Sequence, residues 1–257
     1  MKVITLASGS KANSTYIESG ETRLIFDFGL SCKATVQRLK EIGIMPMSLS
    51  GIFISHEHQD HCRGLKVFSK MYNVPIYANE PTARLLENNF TPNIKIRRIL
   101  SQEAIKIGEI KVHPFSVPHN SADPLGFTIS AKKKKAGILT DCGFATGLIK
   151  QRLKGVDLLL IESNYDEGML KHSSYPWSIK QRISGRLGHL SNKEAAALIA
   201  EIFEGRPAKV ILGHISENTN TFELADNAVK SALRGNGDSV HQIFSAPRDK
   251  LGPVYNL

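Results

Sequence analysis

Three imidazoles and two carboxylates fall within six positions of this sequence, His56-Glu-His-Gln-Asp-His61. Histidines packed this densely repel one another when protonated and are costly to bury unpaired, so a purely structural role for all of them conflicts with electrostatics. As ligands they meet no such conflict, because neutral imidazole and ionised carboxylate suit Zn²⁺, Mn²⁺ or Fe²⁺. His56 and His58, two apart on extended backbone, point the same way. Asp60 and His61 lie where the chain turns into a helical pattern and can point to a neighbouring spot. One loop then serves two adjacent metal positions.

A dinuclear site also needs a bridging carboxylate and further ligands from other strand ends. His119 stands in Ser116-Val-Pro-His-Asn120, Asp141 in Leu139-Thr-Asp-Cys-Gly143 and His214 in Leu212-Gly-His-Ile-Ser216. Each closes an apolar run, the position where sheet proteins collect active-site residues. His113 and His241 sit in or beside strand patterns and read as structural, and His172 lies in a polar, exposed stretch. Cys32, Cys62 and Cys142 form no CxxC pair, which argues against a disulfide framework and for a reducing, cytoplasmic setting.

The elements that must position these residues are legible as apolar runs. Strands are expected at Lys2–Leu6, Thr15–Glu18, Leu24–Phe26, Gly51–Ile54, Pro75–Tyr77, Ile110–Val117, Gly126–Ser130, Ala136–Thr140, Val156–Ile161, Lys209–Leu212 and His241–Phe244. Helical periodicity marks Lys33–Ile42, Cys62–Tyr72 and Thr82–Asn88. Ser191-Asn-Lys-Glu194 has the form of a capping box before Ala195–Phe203. Asn220 and Glu223 can start a last helix through Leu233, with Gly235 as its stop signal. Strands followed by helices recur in both halves with no linker between, which predicts one α/β domain over residues 1–257. The lysine run Lys132–Lys135, between two strand patterns, reads as a solvated hairpin turn rather than a phosphate loop.

With 41% hydrophobic residues and a mean hydropathy of −0.17, the chain has material for a sizeable core. No apolar run reaches the roughly 20 residues that span a bilayer, and the start, MKVITLASGSK, lacks the apolar stretch of a secretory signal. The net charge of +9 favours polyanionic partners, nucleic acid among them.

In its ordered motifs the sequence resembles the metallo-β-lactamase-fold hydrolases: HxHxDH at His56–His61, a preceding Asp27, then His119, Asp141 and His214. The resemblance implies an αββα four-layer sandwich with the site at one edge between the sheets. It assigns His56, His58 and His119 to one metal and Asp60, His61 and His214 to the second. Asp141 matches the bridging carboxylate and Asp27 a residue that buttresses the loop. Secreted lactamases of the main class carry Arg and Cys where this chain has His61 and Asp141, so lactam hydrolysis is disfavoured.

Leu6-Ala-Ser-Gly-Ser-Lys-Ala-Asn13, Ile161-Glu-Ser-Asn-Tyr-Asp166 and the pair Gly188–Asn192 and Leu212–Asn218 look like the YycJ/WalJ-like branch, grouped with nucleases. That branch implies a metal-dependent phosphodiesterase, a 5′-to-3′ exonuclease acting on DNA through two Zn or Mn ions and a bridging hydroxide, with Asp60 in the catalytic centre. His189 matches a ribonuclease Z histidine that helps protonate the leaving group, or it simply marks the start of a helix. Ser8, Ser10 and Asn13 either bind the terminal phosphate or make a strand-connecting turn. Arg63, Lys132–Lys135, Arg182 and Arg186 are candidates for tracking the nucleic-acid backbone. The rival readings are a hydrolase of small esters, thioesters or cyclic phosphodiesters, an RNA-directed nuclease and, last, a non-enzymatic metal-binding module.

Overall fold

The computed structural model describes residues 1–89, 94, 96–204, 207, 209–234 and 241–257. The first half of the chain contributes strands β1 (Lys2–Gly9), β2 (Ala12–Ser19), β3 (Thr22–Phe26), β4 (Gly51–Phe53), β5 (Ile76–Ala78) and β6 (Ile96–Arg98). The second contributes β7 (Ile105–Ile107), β8 (Ile110–Ser116), β9 (Leu125–Ala131), β10 (Lys134–Leu139), β11 (Leu158–Glu162), β12 (Lys209–Gly213) and β13 (Gln242–Ser245). The final strand, β14 (Tyr255–Asn256), returns to the first sheet, whose order is β14-β1-β2-β3-β4-β5-β6, while the second runs β13-β12-β11-β10-β9-β8-β7. In both sheets the hairpin-linked strands pair antiparallel, from β1 to β3 and from β7 to β10. The strands reached through longer crossovers pair parallel, as short turns cannot reverse the chain twice.

Helices α1 (Cys32–Glu41), α2 (Gln59–Cys62), α3 (Leu65–Met71) and α4 (Glu80–Asn89) belong to the first half; α5 (Gly147–Leu153), α6 (Glu167–His172), α7 (Trp177–Ser184), α8 (Asn192–Ile202) and α9 (Phe222–Leu233) to the second. Strand alternation sorts the side chains into three cores. In β3, Leu24 and Phe26 enter the core between the sheets and Ile25 the core under α1, α3 and α4. In β11, Leu158 and Leu160 point inward between the sheets while Leu159 and Ile161 pack toward α5, α8 and α9. Helix, sheet, sheet and helix therefore form the four layers that the motifs imply. Phe26, Phe53 and Phe127 meet in the middle, with centroids 5.1–6.1 Å apart, the spacing at which tilted and stacked rings attract.

All eleven strand expectations are met to within a few residues. The short strands β6, β7 and β14 and helices α5, α6 and α7 carried too little periodicity to be read in advance. The helix expected at Cys62–Tyr72 begins earlier and breaks in two, since Asp60 and His61 lie in the single turn α2 before the chain bends at Gly64. The capping box is present, with Ser191 and Glu194 each satisfying a backbone amide of α8, a device of about 1 kcal/mol. The last helix is capped by Thr221 rather than Asn220, because the Asn220 amide is buried against the Ser163 carbonyl and the Asn192 side chain. Gly235 lies outside the described residues. The lysine run makes the expected hairpin: Lys132 and Lys133 form its turn, with Lys132 at φ 53, and Lys134 and Lys135 open β10.

Candidate metal centre

β3, β10 and β12 end beside one another at one rim of the sandwich. There the chain takes left-handed backbone at Asp27 (φ 60), Asp141 (φ 54) and His214 (φ 47). Such conformations cost of order 1–3 kcal/mol each and persist only where surrounding bonds fix them. The Asp27 amide donates to Phe53 O at 2.8 Å, and the His214 amide to Ser8 Oγ at 2.9 Å. Gly213 makes room for that serine, because a Cβ there would fall 2.5 Å from Ser8 Oγ. Gly29 does the same for the loop, since its Cβ would overlap the Asp60 carbonyl.

Four histidines are held through Nδ1 and so present Nε2 to the centre. His56 is tied to Ser55 Oγ at 2.9 Å and His61 to Asp27 Oδ2 at 2.8 Å. His119 reaches Gly188 O at 2.9 Å, and His214 reaches Glu162 Oε2 at 3.3 Å. A partner behind each ring fixes tautomer and direction, as metal-binding histidines require. His58 completes the first group, with Nδ1 3.0 Å from His56 Nε2. Asp27 also accepts from the Ser55 amide and hydroxyl, which makes it the buttress of the loop.

Donor atoms of His56, His58 and His119 lie within 4.8 Å of one another, as do those of Asp60, His61, Asp141 and His214. Two further groups of the same tightness, His119–Asp141–His189 and Glu162–His189–His214, share members with these. In both, His189 Nδ1 is already engaged by Glu162 at 3.0 Å. Asp141 faces both principal groups: Oδ1 is 3.6 Å from His119 Nε2, and Oδ2 is 2.9 Å from His61 Nε2. The second contact is out of line for a hydrogen bond, and Asp141 Oδ2 is a buried oxygen with no hydrogen-bond partner. A buried carboxylate oxygen left this way is costly; a divalent ion held by these residues would remove the cost.

The electrostatics agree. Burial opposes charge on His214, but Asp141 and Glu162 outweigh it and raise the pKa to about 9. His61 is likewise pushed well above its ordinary value, burial notwithstanding, by Asp27, Asp60 and Asp141. On the other side His56 and His119 are lowered, chiefly by burial. The carboxylates thus make a field that favours positive charge at the centre.

Glu162 was not singled out as a site residue by sequence. It is fully buried, and its Oε1 accepts from the Cys142 and Leu190 amides at 2.6 and 3.1 Å. Its Oε2 faces His189 and His214. Burial would raise its pKa, yet the charge and hydrogen bond of His189 and the bond from His214 bring it down to about 2. The signal was available: Leu158-Leu-Leu-Ile-Glu162 is an apolar run closed by a carboxylate, as at Asp27 and Asp141.

The remaining candidates divide. His189, Ser10, Asn120, Tyr175 and Arg182 line a cleft of about 290 Å³ over the centre. Ser8 and Asn13 are buried and turned inward. Ser8 holds the His214 loop, and the Asn13 amide lies 3.2 Å from Asp60 Oδ2 and 3.1 Å from Gly9 O. Arg63 lies on a neighbouring cavity, and Arg186 stacks over Phe144 at 4.3 Å. Lys132–Lys135 sit at the end of β10 remote from Asp141. Cys62 and Cys142 are buried thiols bonded to carbonyls; burial pushes Cys62 up to about 12.

A family model described as a beta-lactamase superfamily domain matches residues 22–215, which include every histidine and carboxylate of both groups. The chain belongs to this superfamily. Among curated members, the exodeoxyribonuclease YycJ of Bacillus anthracis is 36% identical over 243 residues, covering 93% of this chain and 91% of that one. Among solved structures, the metallo-beta-lactamase fold protein YhfI of Bacillus subtilis superposes with a TM-score of 0.77 at 15% identity, over 99% of this chain and 98% of that one. Zn²⁺-bound PqqB of Methylobacterium extorquens gives 0.72 at 18% identity over the full length of both. The superfamily fold and the donor set together imply divalent metal ions. No described helix is long and apolar enough to cross a membrane.

Proposed function

We propose that this superfamily member is a metal-dependent exodeoxyribonuclease that removes nucleotides from a 5′ end at a dinuclear centre of Zn²⁺ or Mn²⁺. The reading draws on the identity to an exodeoxyribonuclease along nearly the whole chain. The observation that carries the dinuclear part is Asp141, whose two oxygens face two separate ligand groups. His56, His58 and His119 would hold one ion and Asp60, His61 and His214 the other, with Asp141 between. The inter-sheet core, built from both halves, supports residues 1–257 as one domain.

When bound, the ions would activate a water for attack and neutralise the phosphate oxygens. The protein's own groups complete the transfer. The water oxygen bonds to phosphorus, the bond from phosphorus to the 3′-oxygen breaks, and a carboxylate such as Asp60 takes the water's proton. His189 stands with Nδ1 on Glu162 and its ring at the cleft, so Nε2 delivers the proton that the leaving 3′-oxygen needs. Asn120 and Arg182 on the cleft wall would bind the terminal nucleotide, and Ser10, at the boundary with the neighbouring cavity, the scissile phosphate.

The test uses protein loaded separately with Mn²⁺ and Zn²⁺, single-stranded DNA labelled at its 3′ end with a 5′-phosphate or 5′-hydroxyl, and an Asp60→Ala, His61→Ala control. Stepwise shortening from the 5′ end, absent in the control, is expected. Intact DNA with both metals would reject the reading and turn attention to RNA and then to small esters.

A further inference from the structure

Beside the cleft lies a larger cavity, of about 680 Å³, that none of the chemistry above uses. Five cationic side chains, Lys11, Arg38, Arg63, Arg248 and Lys250, line it against two carboxylates, Glu217 and Asp249. Its three guanidinium groups are fixed by main-chain carbonyls. Arg63 donates to Lys11 O at 3.1 Å, Arg38 to Leu6 O and Asp249 O, and Arg248 to Ile215 O and Ser216 O at 3.0 and 2.8 Å. None of the three has an ion-pair partner among the described residues. Their charges are therefore held in place without a direct carboxylate contact, although Glu41 and Asp249 lie near enough to act on Arg38, and such fixed guanidinium groups suit a polyanion with regularly spaced phosphates.

Apolar surface is interleaved with this charge. Phe222, at the start of α9, is 39% exposed and has Arg248 over its ring at 4.4 Å. Leu30 and Pro247 extend the ledge. A basic groove with an aromatic platform is what single-stranded nucleic acid requires: charge for the backbone and a ring on which any base can stack.

The cavity adjoins the centre on a definite side. Ser10 lines the cleft while Gly9 and Lys11 line the cavity, and Ser216 and Glu217 divide in the same way. Lys11 and Glu217, both on the cavity's lining, form an ion pair of 2.6 Å beside that boundary. Asn13 links Gly9 O to Asp60 Oδ2, so the cavity opens behind Asp60. His189, the group for the leaving 3′-oxygen, belongs to the wall formed with Arg182 and Leu187. The nucleotide that leaves lies by that wall, and the strand that retains the phosphorus departs from the Asp60 side.

We infer that this cavity holds the single strand on the 3′ side of the scissile phosphate, with its backbone on Arg63, Arg38 and Arg248 and a base on Phe222. This rests on the nuclease reading and gives it a structural reason for 5′-to-3′ polarity, since the basic cavity adjoins the centre on the side away from the acid.

The experiment compares two substrates of the metal-loaded full chain. One is a ladder of 5′-phosphorylated oligothymidylates from two to eight nucleotides; the other is the p-nitrophenyl ester of thymidine 5′-monophosphate, which carries one nucleoside and no strand. In wild type, KM should fall as the first few nucleotides are added and then level off. In Arg63→Ala/Phe222→Ala that gain should vanish, and the ratio of oligonucleotide to ester hydrolysis should drop by at least about fivefold, the low end for one lost base–aromatic stack. A ratio equal to wild type would overturn the inference. Lys250→Glu, at the exposed rim, repeats the test should the double variant melt early. Anisotropy of a labelled oligothymidylate is read in parallel, so binding is judged even if wild type cuts the ester and no oligonucleotide. That outcome rejects the nuclease reading, while the cavity stands or falls on whether the variants lose binding. Equal displacement of the oligonucleotide by poly-glutamate would also overturn it, by showing a site for any polyanion.

Discussion

Replacing Glu162 by Gln perturbs the centre at its most connected side chain. The substitution is isosteric, and the new carbonyl can still accept from the Cys142 and Leu190 amides. The new amide, however, puts a donor opposite the Nδ1–H of His189 and His214, at 3.0 and 3.3 Å. To escape, each imidazole must move its proton to Nε2, which in His214 is the nitrogen 3.7 Å from Asp60 Oδ2 and the one a metal needs. Loss of the partner behind a metal-binding histidine typically costs about 10–100-fold in affinity. A positioned general acid contributes about 10²–10⁴-fold to rate. Both losses are expected here: metal affinity, by equilibrium dialysis and elemental analysis, and kcat on a 5′-phosphorylated oligonucleotide at saturating metal. His189→Ala separates them, since it should share the fall in kcat and keep the affinity. Wild-type metal affinity in Glu162→Gln would refute the claim that Glu162 orients His214, and undiminished kcat would refute the role of His189.

Three other outcomes follow from the same structure. Gly29→Ala, whose Cβ meets the Asp60 carbonyl, should lose about 1–3 kcal/mol of stability as an overpacked site does; Gly147→Ala, with nothing within 4 Å, should gain about 0.4–1 kcal/mol. Urea titration of both decides, and equal effects would contradict the packing. Chelation should lower Tm by about 5–10 °C, because an ion at about 100 times its Kd adds about 2.7 kcal/mol and each kcal/mol moves Tm about 2–4 °C at this size; an unchanged Tm after verified stripping would contradict metal at a structural seam. Glu18 is tied to Tyr16 and Lys2, and although burial acts to raise its pKa, these bonds with the Lys2 and Arg23 charges hold it below the ordinary value. Its contribution is then present above the unfolded pKa and lost as pH falls through the folded one, so the stability gap between wild type and Glu18→Gln should close on acidification, and a widening gap would show the sign to be wrong.

Most of the candidate ligand set was legible because it obeys local rules. His56 to His61 are neighbours in sequence, and Asp27, Asp141 and His214 each end an apolar run whose strand carries them to a sheet edge. Glu162 ends such a run too, but its partners lie 27 and 52 residues away, and only folding shows that one carboxylate serves two rings. For Ser8 and Asn13 the sequence left phosphate binding and a strand-connecting turn both open, for a different reason. In β1 every residue from Val3 to Gly9 is buried, with a bulge between Thr5 and Ala7, and in β2 every residue from Ala12 to Ile17 is buried, so alternation gives no guide to which side chain faces the cleft. Of the basic cavity only Arg63 was named from the sequence, since the rest is assembled at long range: Arg38 and Asp249 meet across 211 positions.

Helix α7 has a consequence of its own. It forms part of the cleft wall through Arg182 and Ile183, yet no residue of it is buried. Its first side chain, Trp177, is 71% exposed. Segments with so little buried surface open at a small fraction of the global unfolding free energy. The strand ends at the centre are anchored in three apolar cores and do not share that softness. The two are nevertheless joined, since Ile183 O of α7 accepts from the His189 amide at 2.9 Å and Gly188 O just beyond the helix holds His119, so any movement of the wall is felt by the proton donor and by one candidate ligand.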